Sequence, residues 1–317
     1  MNLIDEAVII EIFGIRMYAF GAYVAVGALC SLLTMLMLRK AFDLKTGTVP
    51  LTFLLSAICG VVVSRLAFCL LNQELGRMMP LYSWFQAPGG GWSMFGLIGG
   101  VFLGGWISSK IMKEKAGSIM DMLSLSILPL IVAERIGENR IEDFDISRVL
   151  QSKFIANSFL ATGDEYTRAL MTYYVAAAVC AVIFAVLLLT SMRRKKNGDI
   201  AVMFLLIFGA ASMVLESLRY DFFLSISFVG LQQVAAALML ALGVILAVKR
   251  SNRPKSGLAI AAYISLALMV GIVIGLEFAL DRTAWNKILI YVLMIVVVSV
   301  PAALGPKLLG KGSKDSE

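Results

Sequence analysis

The sequence predicts an all-α, polytopic membrane protein with about nine transmembrane helices. The 317-residue chain is 60% hydrophobic, and its mean hydropathy is +0.88. Only 15% of the residues are charged, against about 25% in ordinary soluble domains. Apolar runs near the roughly 20 residues that cross the hydrocarbon core recur along the chain. The chain length is therefore read as a limit on the number of membrane spans and not as a guide to the number of soluble domains.

Nine apolar runs form the predicted spans, and polar or charged residues separate them. In chain order the spans are Met17–Leu38, Leu51–Leu71, Ser93–Met112, Ile119–Gly137, Ala169–Ser191, Ile200–Leu218, Phe228–Val248, Leu258–Ala279 and Asn286–Gly305.

The distribution of Lys and Arg supports this number of spans. Every second connection is rich in basic residues, beginning with the one after the first span and ending with the C-terminal tail. Basic loops face the cytoplasm under the positive-inside rule. We therefore predict that the N-terminus lies outside and that a small extracytoplasmic loop region includes residues 138–168. This topology accounts for the net charge of +7, so no nucleic-acid partner is predicted.

Residue usage excludes several kinds of site. The sequence contains no histidine, which excludes His metal ligands and an imidazole general base. All four cysteines lie in apolar runs without metal-ligand spacing, which favours a role as buried apolar packing residues over a redox or metal role. No metal and no cofactor are predicted. The opening MNLIDEAVII has no basic segment before an apolar core, so a cleaved signal peptide is not expected.

The fourth apolar run ends in a cluster of charges, IVAERIGENRIEDFD. Glu134 and Glu138 are four residues apart and share a helix face, with Arg135 and Asn139 beside them. A charge inside a span is costly and normally faces a protein interior or a water-filled cavity. We therefore interpret Glu134 and Arg135 as part of a buried polar site. The residues after Asn139 are interpreted as the start of a solvated outer loop.

The third span begins in a glycine-rich segment, PGGGWSMFGLIGGVFLGG. Gly96, Gly100 and Gly104 recur every four residues, which predicts a face for close helix packing. The glycines at 89–91 suit an unusual turn, or a helix start whose N–H groups meet an anion.

Three further polar features lie in the spans. Glu216 and Arg219 are three residues apart near the outer end of the sixth span, where they either pair with each other or bind substrate. Gln233 lies at the start of the seventh span. Arg65 lies inside the second span and needs a partner, for which Glu134 and Glu216 are the available acids.

Arginines near the outer leaflet suit an anionic group, because guanidinium binds phosphate oxygens in pairs. Phospholipid headgroups are the phosphates at that depth. Arg135, Arg65 and Arg219 therefore indicate a headgroup site, and a lipid transferase would use such a cation at its leaving phosphate. The residues alone do not distinguish one reaction on a lipid from another.

Six motifs in order resemble those of the bacterial prolipoprotein diacylglyceryl transferase family over about residues 10–250. They are IRMYAFG (Ile15–Gly21), GVVVSRLAFCLLN (Gly60–Asn72), GGGWSMFGLIGG (Gly89–Gly100), ERIGENR (Glu134–Arg140), GDIAVMFLLIFG with ESLRYD (Gly198–Asp221), and GLQQVAAALMLALG (Gly230–Gly243). The resemblance implies transfer of a diacylglyceryl group from phosphatidylglycerol to the lipobox cysteine of a preprolipoprotein, with release of glycerol phosphate. It places this work at the outer face of the bacterial cytoplasmic membrane. Residues 1–250 then form the transferase-like domain, and residues 251–317 form a two-helix extension with a basic tail.

The resemblance also assigns candidate residues, and the chain departs from it at several positions. Arg135 matches an arginine implicated in binding phosphatidylglycerol. Phe95 stands where the family has histidine, Phe208 and Ser212 stand where it has tyrosine and arginine, and Glu138 replaces an asparagine. The candidate catalytic residues are Glu134, Glu138 and Arg219, with a carboxylate as the base and Arg219 in place of the lost arginine. The candidates for substrate binding are Arg135, Arg65, Glu216, Ser93, Asn139 and Gln233.

Two functions remain open from the sequence. The first is a divergent diacylglyceryl transferase that acts on preprolipoprotein or another acceptor. The second is a relative that binds or transports anionic phospholipid without this chemistry. The order of motifs favours the first, and the three replaced side chains favour the second.

Overall fold

The structure is a computed structural model that describes residues 8–12, 15–71, 91–140, 157–162, 169–192, 196–219, 225–226, 229–251 and 255–311. Within these residues, nine helices are long and apolar enough to cross a membrane. The predicted all-α membrane class is therefore confirmed. The outside location of the N-terminus stays a prediction. Glycines 89 and 90, most of the predicted loop 138–168 and Asp221 lie outside the described residues.

The nine helices follow the predicted spans in order. They are α1 (Ala19–Leu38), α2 (Thr48–Leu71), α3 (Met94–Met112), α4 (Ala116–Gly137), α5 (Thr172–Ser191), α6 (Asp199–Leu218), α7 (Leu231–Arg250), α8 (Gly257–Arg282) and α9 (Lys287–Lys311). Helix α8 runs to Arg282, past the predicted end at Ala279, and α5 begins at Thr172 rather than at Ala169. Hydropathy marks the part of a helix that crosses lipid, whereas capping and backbone hydrogen bonds set its ends.

Strand structure in the described residues consists of three short antiparallel pairs. β1 (Val8–Ile12) pairs with β2 (Ile15–Tyr18), β3 (Ala161–Thr162) with β4 (Ala169–Leu170), and β5 (Ser225–Ile226) with β6 (Val229–Gly230). Each pair ends close to the start of a helix, namely α1, α5 and α7.

The first of two compact units comprises Met1–Asp145 and Tyr173–Leu189. In it, α1 packs against α4, and α2 packs against α3. A Cβ atom added to Gly104 would lie 2.5 Å from the carbonyl oxygen of Leu55, and one added to Gly100 would meet the carbonyl of Cys59. The predicted face of small residues is therefore present, because α2 and α3 approach backbone to backbone along it.

The second compact unit comprises Ile146–Thr172 and Thr190–Glu317. Here α6 packs against α7, and α9 packs against α6, α7 and α8. The hydroxyl of Tyr291 on α9 donates to the carbonyl of Ser217 on α6, with 3.2 Å between the oxygens. The division of the chain at residue 250 stays a prediction.

Candidate functional site

Arg135 lies in the last turn of α4, and its side chain is only 4% exposed. Its Nη1 atom donates to Oε1 of Glu138 at 2.6 Å, and its Nε atom lies 3.6 Å from Oε2 of Glu134. Its Nη2 atom donates to the sulfur of Met94 at 2.8 Å. One guanidinium therefore connects Glu134 in α4 and Glu138 just after α4 to Met94, the first residue of α3.

The end of α4 explains this grouping. The helix passes into a short 3₁₀ turn, Glu138–Arg140, and the N–H of Glu138 donates to the carbonyls of Glu134 and Ile136. This tightening keeps the Glu138 side chain within reach of Arg135, one turn before it. The spacing seen in the sequence therefore produces a real cluster of charges.

Ser93 fixes the start of α3 beside this cluster. Its hydroxyl oxygen accepts from the N–H of Gly96 at 3.2 Å and caps the helix. Its backbone bonds to α2 twice: its carbonyl accepts from the Ser64 hydroxyl at 2.8 Å, and its N–H donates to the Ser64 carbonyl at 3.3 Å. The hydroxyl of Ser93 thus has a clear structural task. A contact of Ser93 with substrate stays a prediction.

Arg65 approaches the same start of α3 from α2, with only 6% of its surface exposed. Its Nη1 atom donates to the carbonyl of Gly91 at 2.8 Å, and its guanidinium lies 5.9 Å from the ring centre of Phe68 and 5.6 Å from that of Trp92. Gly91 has a φ of +80°, and a Cβ atom there would collide with Phe68. A glycine is therefore required at position 91, whose carbonyl accepts the hydrogen bond from Arg65.

The acids that the sequence offered as partners for Arg65 pair with other arginines in the structure. Glu134 pairs with Arg135, and Glu216 pairs with Arg219. Arg65 and Arg135 nevertheless reach the same short stretch of chain, at Gly91 and at Met94. Two buried cations at the start of a helix form a setting suited to an anion.

The two carboxylates beside Arg135 differ in their partners. Oε1 of Glu138 accepts a short, direct hydrogen bond from the guanidinium. Oε2 of Glu134 is buried and has no hydrogen-bond donor within the described part of the chain, although Arg135 is close enough for an ion pair. Glu134 is therefore the carboxylate with an oxygen available to accept a proton.

Asn139 and Tyr173 form a contact that sequence reasoning missed. The hydroxyl of Tyr173, in the first turn of α5, donates to Oδ1 of Asn139 at 3.0 Å. The tyrosine has no charged neighbour in sequence and belongs to none of the six motifs. The only signal for this contact in the sequence was an aromatic residue with a polar hydroxyl group at the start of a span.

The remaining candidates lie in the second unit and are described separately. Glu216 and Arg219 pair with each other, one of the two alternatives left open from the sequence, with 3.7 Å between Oε1 and Nη1. Gln233, only 3% exposed, donates from Nε2 to the carbonyl of Met213 at 3.2 Å and to Oε1 of Glu277 at 2.8 Å. Sequence reasoning missed Glu277, although an acid inside an apolar run was the signal.

Hydrophobic or small side chains occupy the positions that depart from the family pattern. Phe208 is buried and stacks on Phe204, with 5.0 Å between the ring centres, and Ser212 is buried on the same helix. Phe95 is half-buried in the first turn of α3. These side chains supply neither a base nor a cation.

Among the described residues, no three His, Cys, Asp or Glu side chains lie close enough together to hold a metal ion.

In a comparison with known families, the family model described as prolipoprotein diacylglyceryl transferase matches residues 7–249. The chain belongs to the prolipoprotein diacylglyceryl transferase family. Compared with individual curated proteins, the chain has no match. Family membership covers α1–α7, and α8 and α9 follow the matched region.

Proposed function

We propose that this protein transfers the diacylglyceryl group of an anionic phospholipid, phosphatidylglycerol in the first instance, to the thiol of a lipobox cysteine. The observation that carries the proposal is the approach of two buried arginines, Arg135 and Arg65, to the start of α3. Membership of the family supplies the type of reaction. The alternating basic loops support a site at the outer face of a bacterial cytoplasmic membrane.

The reaction breaks one bond and forms one bond. The thiol loses its proton to a base, and its sulfur attacks the glyceryl carbon that carries the phosphate. The C–S bond forms as the C–O bond to phosphate breaks, and the electron pair leaves with the phosphate oxygen. The products are the thioether and glycerol phosphate, whose phosphate carries one more negative charge than the diester. The site must accept one proton and stabilise one developing negative charge.

Glu134 and Arg135 are suited to these two tasks. Glu134 offers a buried oxygen without a hydrogen-bond donor among the described residues, so it can accept the thiol proton. Protonation would remove one of the two negative charges that balance Arg135. The guanidinium would then be less neutralised at the moment when the phosphate gains charge, which couples the proton transfer to stabilisation of the leaving group.

The alternative is a relative that binds anionic phospholipid without turnover. Phe95, Phe208 and Ser212 favour it, because each replaces a polar or charged side chain of the family pattern. Both functions use Arg135 and Arg65 for the headgroup. They differ in whether a thioether is formed.

The deciding experiment is complementation of a transferase-depleted bacterium, with lipid modification of a lipobox peptide as the readout. We expect rescue by the natural chain and loss of rescue with Arg135→Ala. Arg135→Lys should rescue poorly, because a lysine cannot contact both carboxylates and the Met94 sulfur through separate nitrogens.

Expression in the membrane is the control for each variant. No rescue by a well-expressed natural chain would contradict transfer and leave lipid binding as the function. Full rescue by Arg135→Ala would remove Arg135 from the site.

A further inference from the structure

The short 3₁₀ turn that follows α4, Glu138–Arg140, is tied to a second helix through Asn139. Glu138 is buried and pairs with Arg135 at 2.6 Å, whereas its neighbour Asn139 is exposed. Oδ1 of Asn139 accepts a hydrogen bond from the hydroxyl of Tyr173 at 3.0 Å. Two adjacent residues of one turn therefore contact two different partners, a buried cation and a tyrosine of α5.

Tyr173 is a suitable anchor for this turn. It is the second residue of α5, and it belongs to the same compact unit as α4. Its ring packs edge-on against the ring of Tyr174, with 4.6 Å between the ring centres. A tyrosine side chain loses little conformational entropy when it is held in place. Because helix ends tend to fray, a bond from a second helix stabilises the turn at the end of α4.

The position of this turn affects how Arg135 can bind an anion. The Glu138 carboxylate and a phosphate group would both accept from the N–H donors of the same guanidinium, so they compete for it. When the turn frays, Glu138 moves away and Arg135 becomes more available to a phosphate. The bond from Tyr173 to Asn139 shifts this equilibrium toward the arrangement in which Glu138 contacts Arg135.

We propose that Tyr173 is a positioning residue, which keeps Glu138 on Arg135 through Asn139 and thereby limits the affinity of Arg135 for the lipid phosphate. This inference rests on the proposed function, because it presumes that Arg135 binds the phosphate of the headgroup. In a transferase, a limited affinity favours product release. Glycerol phosphate carries one more negative charge than the lipid diester, so an arginine without Glu138 would retain it longer.

The test is lipid binding by the full chain in phosphatidylcholine nanodiscs with graded fractions of phosphatidylglycerol, and native mass spectrometry counts the bound lipid. Tyr173→Phe removes the hydroxyl and keeps the ring. We expect its affinity for phosphatidylglycerol to rise about fivefold, the factor that corresponds to the net free energy of one hydrogen bond. Asn139→Ala removes the acceptor and should raise the affinity equally. A role in folding alone predicts the opposite sign, because a loosened site binds lipid more weakly.

Two further measurements connect the effect to the charge of Glu138. Glu138→Gln should raise the affinity at least as much as Tyr173→Phe. The double variant should match Glu138→Gln within about twofold, because Tyr173 acts through Glu138. Glycerol phosphate, titrated by calorimetry, should also bind Tyr173→Phe more tightly than the natural chain, since the effect concerns a phosphate and not the acyl chains.

Tyr174→Phe is the matched control. Tyr174 is the next residue of α5, and its ring contacts that of Tyr173. We expect this variant to bind phosphatidylglycerol as the natural chain does. An equal rise in affinity in the two tyrosine variants would overturn the proposal, since any change at the start of α5 would then suffice.

The remaining outcomes separate this inference from the proposed function. If the natural chain prefers phosphatidylglycerol and Tyr173→Phe leaves the affinity unchanged or lowers it, the inference is wrong and the proposed function is unaffected. If Tyr173→Phe binds more tightly but the natural chain forms no thioether, transfer is wrong and the inference stands for lipid binding. If the natural chain shows no preference for phosphatidylglycerol, the proposed headgroup is wrong and the inference falls with it.

Discussion

At the scale of single residues, the charge of Arg135 is offset by two carboxylates at the end of α4. Glu134 and Glu138 both contact the guanidinium, and Met94 occupies a third direction. A buried arginine without such partners would be too costly to keep inside a membrane protein. The same partners weaken its attraction for an added anion. In the proposed mechanism, the carboxylates therefore couple lipid binding to proton transfer.

Replacement of Glu134 by glutamine separates binding from chemistry. Glu134→Gln keeps the shape of the side chain but removes the negative charge and the ability to accept the thiol proton. We expect the rate of thioether formation to fall about 100-fold or more, the usual cost of a lost general base. The affinity for anionic phospholipid should not fall, because Arg135 is less neutralised. Single-turnover transfer to a lipobox peptide and lipid titration of the same preparation measure the two quantities.

Glu138→Gln serves as the comparison for that experiment. It weakens the 2.6 Å contact with Arg135 and leaves Glu134 in place. We expect lower thermal stability and a smaller loss of rate than in Glu134→Gln. If Glu134→Gln formed the thioether at the rate of the natural chain, another group would have to accept the thiol proton.

At the scale of elements, the contact between α2 and α3 sets the geometry of the candidate site in the first unit. Arg65 is on α2, while Ser93 and Met94 are at the start of α3. The distance between these two helices determines where the Arg65 guanidinium contacts the segment that precedes α3. The glycines at 96, 100 and 104 permit that separation, because no side chain stands between the two backbones.

An alanine at Gly100 should push these helices apart. The added Cβ atom would meet the backbone carbonyl of Cys59, which cannot move aside as a flexible side chain can. We expect Gly100→Ala to destabilise the protein by about 1–3 kcal/mol, typical of an overfilled core. Thermal unfolding in detergent measures the change.

The adjacent residue provides the control for Gly100→Ala. Gly99 lies on the same helix, and an added Cβ atom would have nothing within 4 Å. Gly99→Ala should leave the unfolding midpoint unchanged or raise it, because alanine favours the helix over glycine. Equal losses in the two variants would contradict close packing of α2 on α3.

At the scale of the whole molecule, the direction in which the chain crosses the membrane decides which compartment would supply the acceptor thiol of the proposed reaction. The basic residues predict that the connection between α1 and α2 is cytoplasmic and that the turn between α8 and α9 is outside. Lys40 and Trp285 are exposed residues in these two connections.

Cysteine labelling tests this topology. In a background with the four natural cysteines replaced by alanine, Trp285→Cys should react with a membrane-impermeant maleimide in intact cells. Lys40→Cys should react only after permeabilisation, because a charged reagent does not cross the bilayer. The reverse pattern would place the site on the cytoplasmic side and would contradict transfer to an exported lipobox peptide.

The sequence predicted the membrane class, the number and order of the spans, and the face of small glycines. It also placed two groups of charged residues at helical spacing, and left open whether Glu216 and Arg219 pair with each other. Glu134, Arg135 and Glu138 are within four residues, and Glu216 and Arg219 are three apart, so helical geometry alone brings each group together. Hydropathy and helical period are local properties, and a linear sequence displays them directly.

Only the tertiary structure showed which distant residues meet. Met94 contacts Arg135 across 41 positions of the chain, Gly91 accepts from Arg65, and Glu277 bonds to Gln233 across 44 positions. No spacing rule links such pairs, because their contact depends on how whole helices pack. An isolated charge in a span predicts that a partner exists, since an unpaired charge is costly in lipid. The identity of that partner is decided by packing, because many polar groups could satisfy the charge and the fold brings particular ones within reach.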